Sequence, residues 1–410
     1  MWIVYLKCQG EWLYRGTKGI FWVSRIGKKG YIMRILYIAP RYHTNQIAII
    51  DGWIRHGDTV GFLSHYEGCI EDYSSIKPIV VGYSRAFLFI ERFYLRINRK
   101  KENAIDFRLK YGFPPLIKLN KLIKQFSPDM LITRERSIYS IFVTLLCKLH
   151  KYPVILYNQS PLWGEVVKED LSHKIIRSLT PSYRITPVFC YGKKVEQKRK
   201  DDKAFYLPFL MEPHLAPSKK SYFGDGYIHV LAIGKYQERK NHFMLIEVIE
   251  ELGKRYPVRL VIAGEVSNEF HKRYYNEIKQ YILSRHLDTI VELKVNLSRN
   301  EIFNLYKQSD LYVLASTAEP ASVSHLEAMS FSLPVILGED NGTANYVEEG
   351  VNGFIFRDND KEDLKIKIEN LLFDREQILR MGKESYRLVC EKYQFVSYYT
   401  KILEILERMD

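Results

Sequence analysis

Short apolar runs closed by turn residues alternate with longer stretches of helical period along most of this chain. Residues 34–40, Arg-Ile-Leu-Tyr-Ile-Ala-Pro, form such a run and predict a buried strand ended by Pro40. Residues 59–63 follow, then a helical stretch over 86–97, then a strand over 129–133. Ile138, Ile141, Phe142, Leu145, Leu146 and Leu149 come next at helical spacing, and 153–157 and 184–191 continue the alternation. The pattern lapses over 209–226, where Pro213, Pro217 and Gly224 predict a linker. It restarts with strands over 229–234, 258–264, 311–315 and 334–338, the last before the helices of the C-terminus, and with a helix over 241–253. Ser298 followed by Glu301 is a capping box that opens a helix ending near Ser309.

Strand-helix-strand repetition with apolar strands predicts parallel sheets covered by helices on both faces. The expected class is α/β, with two Rossmann-like parallel-sheet domains facing a central cleft. Their expected bounds are 33–208 and 227–385 about the linker 209–226, with a C-terminal helix in 386–410 packing back toward the N-terminal domain. Residues 1–32 show no matching period and read as an extension, or as a stretch upstream of a true start at Met33.

A length of 410 residues exceeds what one core organises. A composition of 46% hydrophobic and 27% charged residues excludes a largely disordered chain, a collagen-like repeat and a coiled coil. Cys8, Cys69, Cys147, Cys190 and Cys390 are odd in number and far apart, which argues for a reducing compartment and against a zinc site. No run of apolar residues is long enough to span a bilayer, and Lys7, Glu11, Arg15 and Lys18 interrupt any signal-peptide core. The expected location is cytoplasmic, peripheral on the inner face of the plasma membrane.

The net charge of +13 is unevenly held. Residues 1–208 carry 35 Lys and Arg against 17 Asp and Glu, or +18, and the remainder carries 26 against 31, or −5. A basic front half faces an anionic partner: nucleic acid, phospholipid or a phosphorylated substrate. Arg85, Arg92, Arg96 and Arg99 fall within a stripe of ~60° on one helix, with Phe87, Ile90, Phe93, Tyr94 and Ile97 on a neighbouring face. Residues 85–101 therefore suit an anionic bilayer surface, and equally a half-buried domain helix with its arginines in water.

Two segments carry candidate chemistry. In the first, Gly234 leads through Lys235, Arg239 and Lys240 to Asn241, a candidate N-cap, so that three cations gather where a helix N-terminus would attract a diphosphate. A solvated basic loop is the plainer alternative. In the second, the strand 311–315 is followed by Glu319, Ser322, Val323 and Glu327. Glu319 falls in the loop at a strand's carboxyl end and Glu327 more than one turn into the next helix, so two carboxylates straddle one ligand and can accept from sugar or ribose hydroxyls. The amides near Ser322 and Val323 suit a phosphate. An exposed loop acid and a solvated helix acid are the alternative here.

Taken together, the glycine and cations, Lys240, and the later Glu-x7-Glu followed by Ala328-Met329 and Pro334-Val335 resemble the retaining GT-B glycosyltransferases of family 4. Val261-Ile262-Ala263-Gly264, Leu305-Tyr306, Ser309 through Val313, and Glu348 through Phe354 add to the resemblance, which is specific over 228–375. It implies a hexosyltransferase-type enzyme that moves a sugar, with retention and without a metal, from a nucleotide-sugar donor to a lipid-linked or oligosaccharide acceptor in surface-polysaccharide assembly. It assigns Lys235 and Lys240 to the diphosphate of a UDP- or GDP-sugar, Glu319 to the donor sugar and Glu327 to the ribose. The implied partners are that nucleotide sugar, the acceptor and an anionic membrane surface, with no nucleic acid and no cofactor. Lys235 stands where the family has arginine, Ala321-Ser322 where it has Phe-Gly, and Ser332 where it has glycine. In the front half, residues 41–46 replace a glycine-rich loop. Asp358-Asn359-Asp360 mimics a metal-binding triplet and reads instead as a helix cap. A sugar-nucleotide epimerase of the same fold is the alternative enzyme, and a basic nucleic-acid-binding protein the alternative from another class.

Overall fold

The computed structural model of the protein describes residues 32–42, 46–68, 71–97, 107–108, 111–135, 137–163, 178, 182–190 and 201–409. It also describes the backbone of 6–8, 11–13, 15–16 and 19–20, which form two short antiparallel pairs. The reading of 1–32 lies otherwise outside the described residues.

The first sheet is built from β1 (Arg34–Ile38), β2 (Thr59–Ser64), β3 (Ile79–Val80), β4 (Met130–Arg134), β5 (Val154–Tyr157), β6 (Tyr183–Thr186) and β7 (Ala204–Tyr206). All are parallel, in the order β7-β6-β5-β4-β1-β2-β3. Its helices are α1 (Ile47–His56), α2 (Arg85–Ile97), α3 (Leu116–Phe126) and α4 (Ile138–His150). Successive side chains of β1 enter different cores, Ile35 and Tyr37 on one face and Leu36 and Ile38 on the other, as the twofold period of a strand buried on both sides requires.

The second sheet contains β8 (Ile228–Ile233), β9 (Val258–Gly264), β10 (Val291–Val295), β11 (Leu311–Leu314), β12 (Val335–Gly338) and β13 (Gly353–Phe356). It is parallel throughout, in the order β10-β9-β8-β11-β12-β13. The accompanying helices are α5 (His242–Gly253), α6 (Glu269–Ser284), α7 (Arg299–Gln308), α8 (Ser324–Ser330), α9 (Lys361–Phe373), α10 (Arg375–Lys392) and α11 (Phe395–Glu407). The capping box forms, with the Ser298 side chain accepting from Glu301 N–H and the Glu301 carboxylate returning to Ser298. Asp360 caps α9 by accepting from Asp363 N–H.

Several expectations are corrected. The strand over 334–338 is not the last, because β13 follows it, and β10 forms between 264 and 298. Asn241 stands at the start of α5 in a left-handed conformation, φ 51°, and its side chain donates to Asn359 (2.9 Å) instead of capping the helix. The segment 209–226, expected as the linker, runs between the two sheets and is packed: Phe209 and Met211 join the second domain's core, Leu210 joins the first's, and Lys220 donates to the carbonyls of Tyr306, Lys307 and Ser309.

Helix α10 runs unbroken through residue 385, and the chain crosses back only beyond Tyr393. Helix α11 then buries Tyr398, Ile402 and Ile405 in the first domain, each contributing roughly 1.5–3 kcal/mol by leaving water. Phe395 lies edge-on to Trp53 of α1 and against Gly52, where a Cβ would fall 2.1 Å from the Phe395 ring. Arg299, after the carboxyl end of β10, pairs with Asp72, after the carboxyl end of β2, at 3.8 Å, so the carboxyl edges of both sheets border one cleft.

Candidate active site

In the second sheet the order reverses between β8 and β11, and the loops leaving these two strands part to opposite sides. Such a switch point leaves a crevice at the strands' carboxyl ends. The first loop leaves β8 at Gly234 and closes through a 3-10 turn, Glu238–Lys240, onto α5. Its inner anchor is Tyr236, fully buried, whose hydroxyl donates to the Ile262 carbonyl (3.0 Å) or the Lys294 carbonyl (2.9 Å). The second loop leaves β11 and passes through Ala318, whose positive φ of 46° is uncommon for a residue with a Cβ, directly before Glu319. A backbone bond from Thr317 N–H to the Arg239 carbonyl (2.8 Å) joins the loops.

Glu319 and Lys240 meet at this junction, each side chain 8% exposed. Lys240 Nζ and Arg239 Nη1 donate to the same oxygen, Glu319 Oε2, the arginine at 2.7 Å. Burial works to raise the Glu319 carboxyl, and the two cations overcome it and hold the group below the ordinary carboxylate range. Burial lowers the Lys240 ammonium, which Arg239 and Lys235 also disfavour while Glu319 opposes the shift. A Cβ at Gly234 would stand 3.0 Å from the Lys240 stem, so glycine there leaves the lysine its path to Glu319. Two of the three expected cations thus converge. Lys235 turns instead to Glu265 at 3.0 Å, with nearly half of its side chain in solvent.

Glu327 lies in the first turn of the seven-residue α8 and not more than one turn in, because the helix starts only at Ser324. Burial raises its carboxyl above the ordinary value, with Arg299 and the Tyr306 hydroxyl, 3.2 Å from Oε2, pulling the other way. Tyr312 ties the start of α8 to the end of β8: its hydroxyl lies 2.6 Å from Ser324 Oγ and 3.3 Å from the Ile233 carbonyl.

Ser322 faces inward. Its Oγ accepts from Asn341 Nδ2 (2.9 Å) and lies 2.9 Å from His325 Nδ1, while Thr343 Oγ1 is 3.1 Å from the Ser322 carbonyl. Ser322, His325, Asn341 and Thr343 are all buried. Asn341 also pairs in a β-bridge with Glu319, Gly342 N–H donates to the Glu319 carbonyl (2.9 Å), and Ala318 N–H donates to Asp340 (2.9 Å). This cluster clamps the Glu319 loop to the loop after β12. Sequence reasoning missed His325, Asn341 and Thr343, along with Tyr306 as the support of Glu327 and Tyr312 as the tie between β8 and α8. The signal available was the polar run Glu339 to Thr343 at another strand's carboxyl end, next to β11. Val323 occupies the cap position of α8 without a side-chain capping bond.

Across the cleft, the first sheet has its own order reversal between β1 and β4, where a cavity of about 240 Å³ opens among Tyr37, Arg41, Thr133, Arg134, Tyr157 and Gln159. Among the described residues, no group of three or more His, Cys, Asp or Glu is placed to hold a metal ion, and no helix is long and apolar enough to cross a membrane.

Residues 217–388 match the family described as Glycosyl transferases group 1. The spore coat protein SA of Bacillus subtilis is 28% identical over 190 residues, 44% of this chain and 48% of that protein, so the match spans about half of the relative's length. The whole chain is similar in fold to a glycosyltransferase from Rickettsia africae (TM-score 0.68, 16% identity, 92% of this chain and 99% of that one). It is similar too to Anabaena HepE, solved in complex with UDP and glucose (TM-score 0.67, 15% identity, 92% and 99%). With two parallel sheets opening on one cleft, the chain has the GT-B fold, and the segment similar to the glycosyl transferases group 1 covers the crevice that holds Lys240, Glu319 and Glu327.

Proposed function

We propose that the protein transfers a sugar, with retention, from a nucleotide-sugar donor to a lipid-linked or oligosaccharide acceptor of surface-polysaccharide assembly. The observation that carries this reading is the buried junction of Arg239, Lys240 and Glu319 at the switch point of the second sheet. A diphosphate entering there meets two cations already held at one place, and a sugar hydroxyl meets a carboxylate kept ionised by them. The UDP and glucose in Anabaena HepE support a nucleotide sugar as the donor.

In this mechanism Lys240 and Arg239 exchange part of their pairing with Glu319 for the donor diphosphate, whose negative charge grows as the bond to the anomeric carbon breaks. Stabilisation realised mainly in the transition state lowers the barrier to transfer. Lys235, more exposed, reaches the same group from the solvent side. Glu327, oriented by Tyr306, accepts from the ribose hydroxyls, and Glu319 holds the sugar. The leaving diphosphate takes the proton of the acceptor hydroxyl as it attacks from the same face, so no protein nucleophile is needed. The cations supply the charge neutralisation that a metal would otherwise provide, and activity is expected to persist in EDTA. The first domain's cavity, lined in part by Arg41 and Arg134, receives the acceptor.

The test is a panel of UDP- and GDP-sugars scored first by thermal stabilisation, where a ligand at 100 times its Kd adds about 2.7 kcal/mol. Transfer of labelled sugar to lipid-linked acceptors follows, with the product anomer read by NMR. Isomerised donor without transfer would establish the epimerase instead, and no stabilisation by any nucleotide sugar would remove the reading altogether.

A further inference from the structure

Helix α2 offers a surface that the transfer reaction does not use. At 100° per residue, Arg92, Arg85 and Arg96 occupy one edge of the helix, and Phe89, Phe93, Ala86, Ile97 and Ile90 continue the arc from there. All eight are exposed, with Phe89 at 74%, Phe93 at 62% and Ile97 at 65%. The opposite side is fastened to the domain. Phe87 is buried against Phe113, Tyr94 stacks on Phe107 at 4.1 Å, and Arg108 closes on the buried Glu91. The apolar flank expected from the sequence is thereby redistributed: Phe87 and Tyr94 belong to the interior, while Phe89 joins Ile90, Phe93 and Ile97 outside. Arg99 lies outside the described residues.

We infer that this face of α2 docks the protein on an anionic lipid bilayer, with Phe89, Phe93 and Ile97 entering the interface and Arg85, Arg92 and Arg96 on the headgroup phosphates. Large apolar side chains held in water beside a row of cations have the composition of an interfacial helix, and each cation near an anionic surface strengthens the attraction. The +18 charge of residues 1–208 extends the attraction beyond the helix. A second copy of the chain fits the face less well. An antiparallel twofold pairing of α2 would bring the arginine rows of both copies together, and one helix of 13 residues falls short of the ~1,200 Å² that stable interfaces bury.

The experiment is flotation of the full chain with vesicles of phosphatidylglycerol and phosphatidylcholine in equal parts, and with phosphatidylcholine alone. Binding to the anionic vesicles, weakened by salt and reduced at least tenfold in both Phe89→Ser/Phe93→Ser and Arg92→Glu/Arg96→Glu, is the expected result. Absence of binding overturns the inference, as does binding that either double variant leaves unchanged. A dimer in gel filtration that dissociates in the phenylalanine variant also overturns it, by assigning the face to self-association. All eight side chains are in solvent, so thermal melts of the variants should match the parent and exclude misfolding. Stabilisation by nucleotide sugar is measured on the same samples. It is expected to be unchanged, which separates failure of the docking inference from failure of the transferase reading.

Discussion

Lys240 and Glu319, 79 residues apart in the chain, are buried against one another where the loops of β8 and β11 meet. Removing Glu319 leaves the buried Lys240 ammonium without its carboxylate, at a cost of about 3–5 kcal/mol, and removing Lys240 leaves Glu319 only the more exposed Arg239, a smaller loss. Lys240→Ala and Glu319→Ala should therefore each lower the melting temperature, the latter by several degrees, beyond any loss of activity. The double variant Lys240→Met/Glu319→Leu should recover much of that stability and none of the transfer. Recovery of transfer along with stability would show the pair to be structural only.

Glu327 and its support should separate binding from turnover. Glu327→Ala removes an acceptor from nucleotide in ground and transition states alike, so calorimetry with free UDP should show a loss of about 1.5–3 kcal/mol. Tyr306→Phe deletes only the hydroxyl that orients the carboxylate and should produce a smaller loss of the same kind. An unchanged UDP affinity in both would move the ribose contact elsewhere.

Asn341 never approaches the substrate in this scheme, yet it joins Ser322, Thr343 and the Glu319 backbone in one buried cluster. Asn341→Ala strips partners from buried polar groups, each worth about 1–3 kcal/mol. Steady-state kinetics should show kcat falling further than nucleotide affinity, because the displaced residue is Glu319 and not Glu327. Equal effects on both quantities would count against this division.

Acid should destabilise the protein well before its carboxylates titrate. Burial lowers His65 to about 4, and His242 and His325 to about 3, while in the unfolded chain each titrates near 6.5. Between those values the unfolded state binds more protons, so stability present above pH ~6.5 is lost as pH falls, by up to about 1.4 kcal/mol per unit for each histidine. His214 and His271, also lowered chiefly by burial, act with the same sign. Urea midpoints should drop between pH 7 and pH 5, and His325→Gln should flatten the slope. A flat profile over that interval would contradict the burial of these rings.

A chain begun at Met33 should fold and bind donor as the full chain does. Met33 N–H donates to Asp58 Oδ1 at 2.9 Å, and His56 faces the other oxygen at 2.8 Å. An ammonium created at Met33 would stand on a carboxylate already placed to receive it. Thermal melts and donor binding of the truncated chain check this, and an insoluble product would assign residues 1–32 a structural part.

Much of this architecture could be read before any coordinates, for physical reasons that also explain the omissions. Central strands buried on both faces, such as β1, β9 and β11, are nearly continuous apolar runs and stand out. Strand β10, at the sheet edge, alternates Val-Glu-Leu-Lys-Val, and β13 is four residues opened by a glycine, so neither resembles those runs. Lys240 and Glu319 were visible as polar residues just beyond strands. Their pairing was not, since linear order does not state which side chains a sheet reversal brings together. The Ser322–Asn341 cluster was hidden for the same reason: isolated serines and asparagines look like turn residues until burial gives them partners.

The two passages between domains lie side by side. Met211 N–H donates to the Tyr393 carbonyl at 3.0 Å, and Gln394 Nε2 donates to the Met211 carbonyl at 2.8 Å. The chain entering the second domain is thus tied to the chain leaving it, by one backbone bond and one from a side chain. A fragment ending at residue 208 would also lack the closing helix, leaving Trp53 without its cover, so the N-terminal half cannot be excised intact by cutting the chain once.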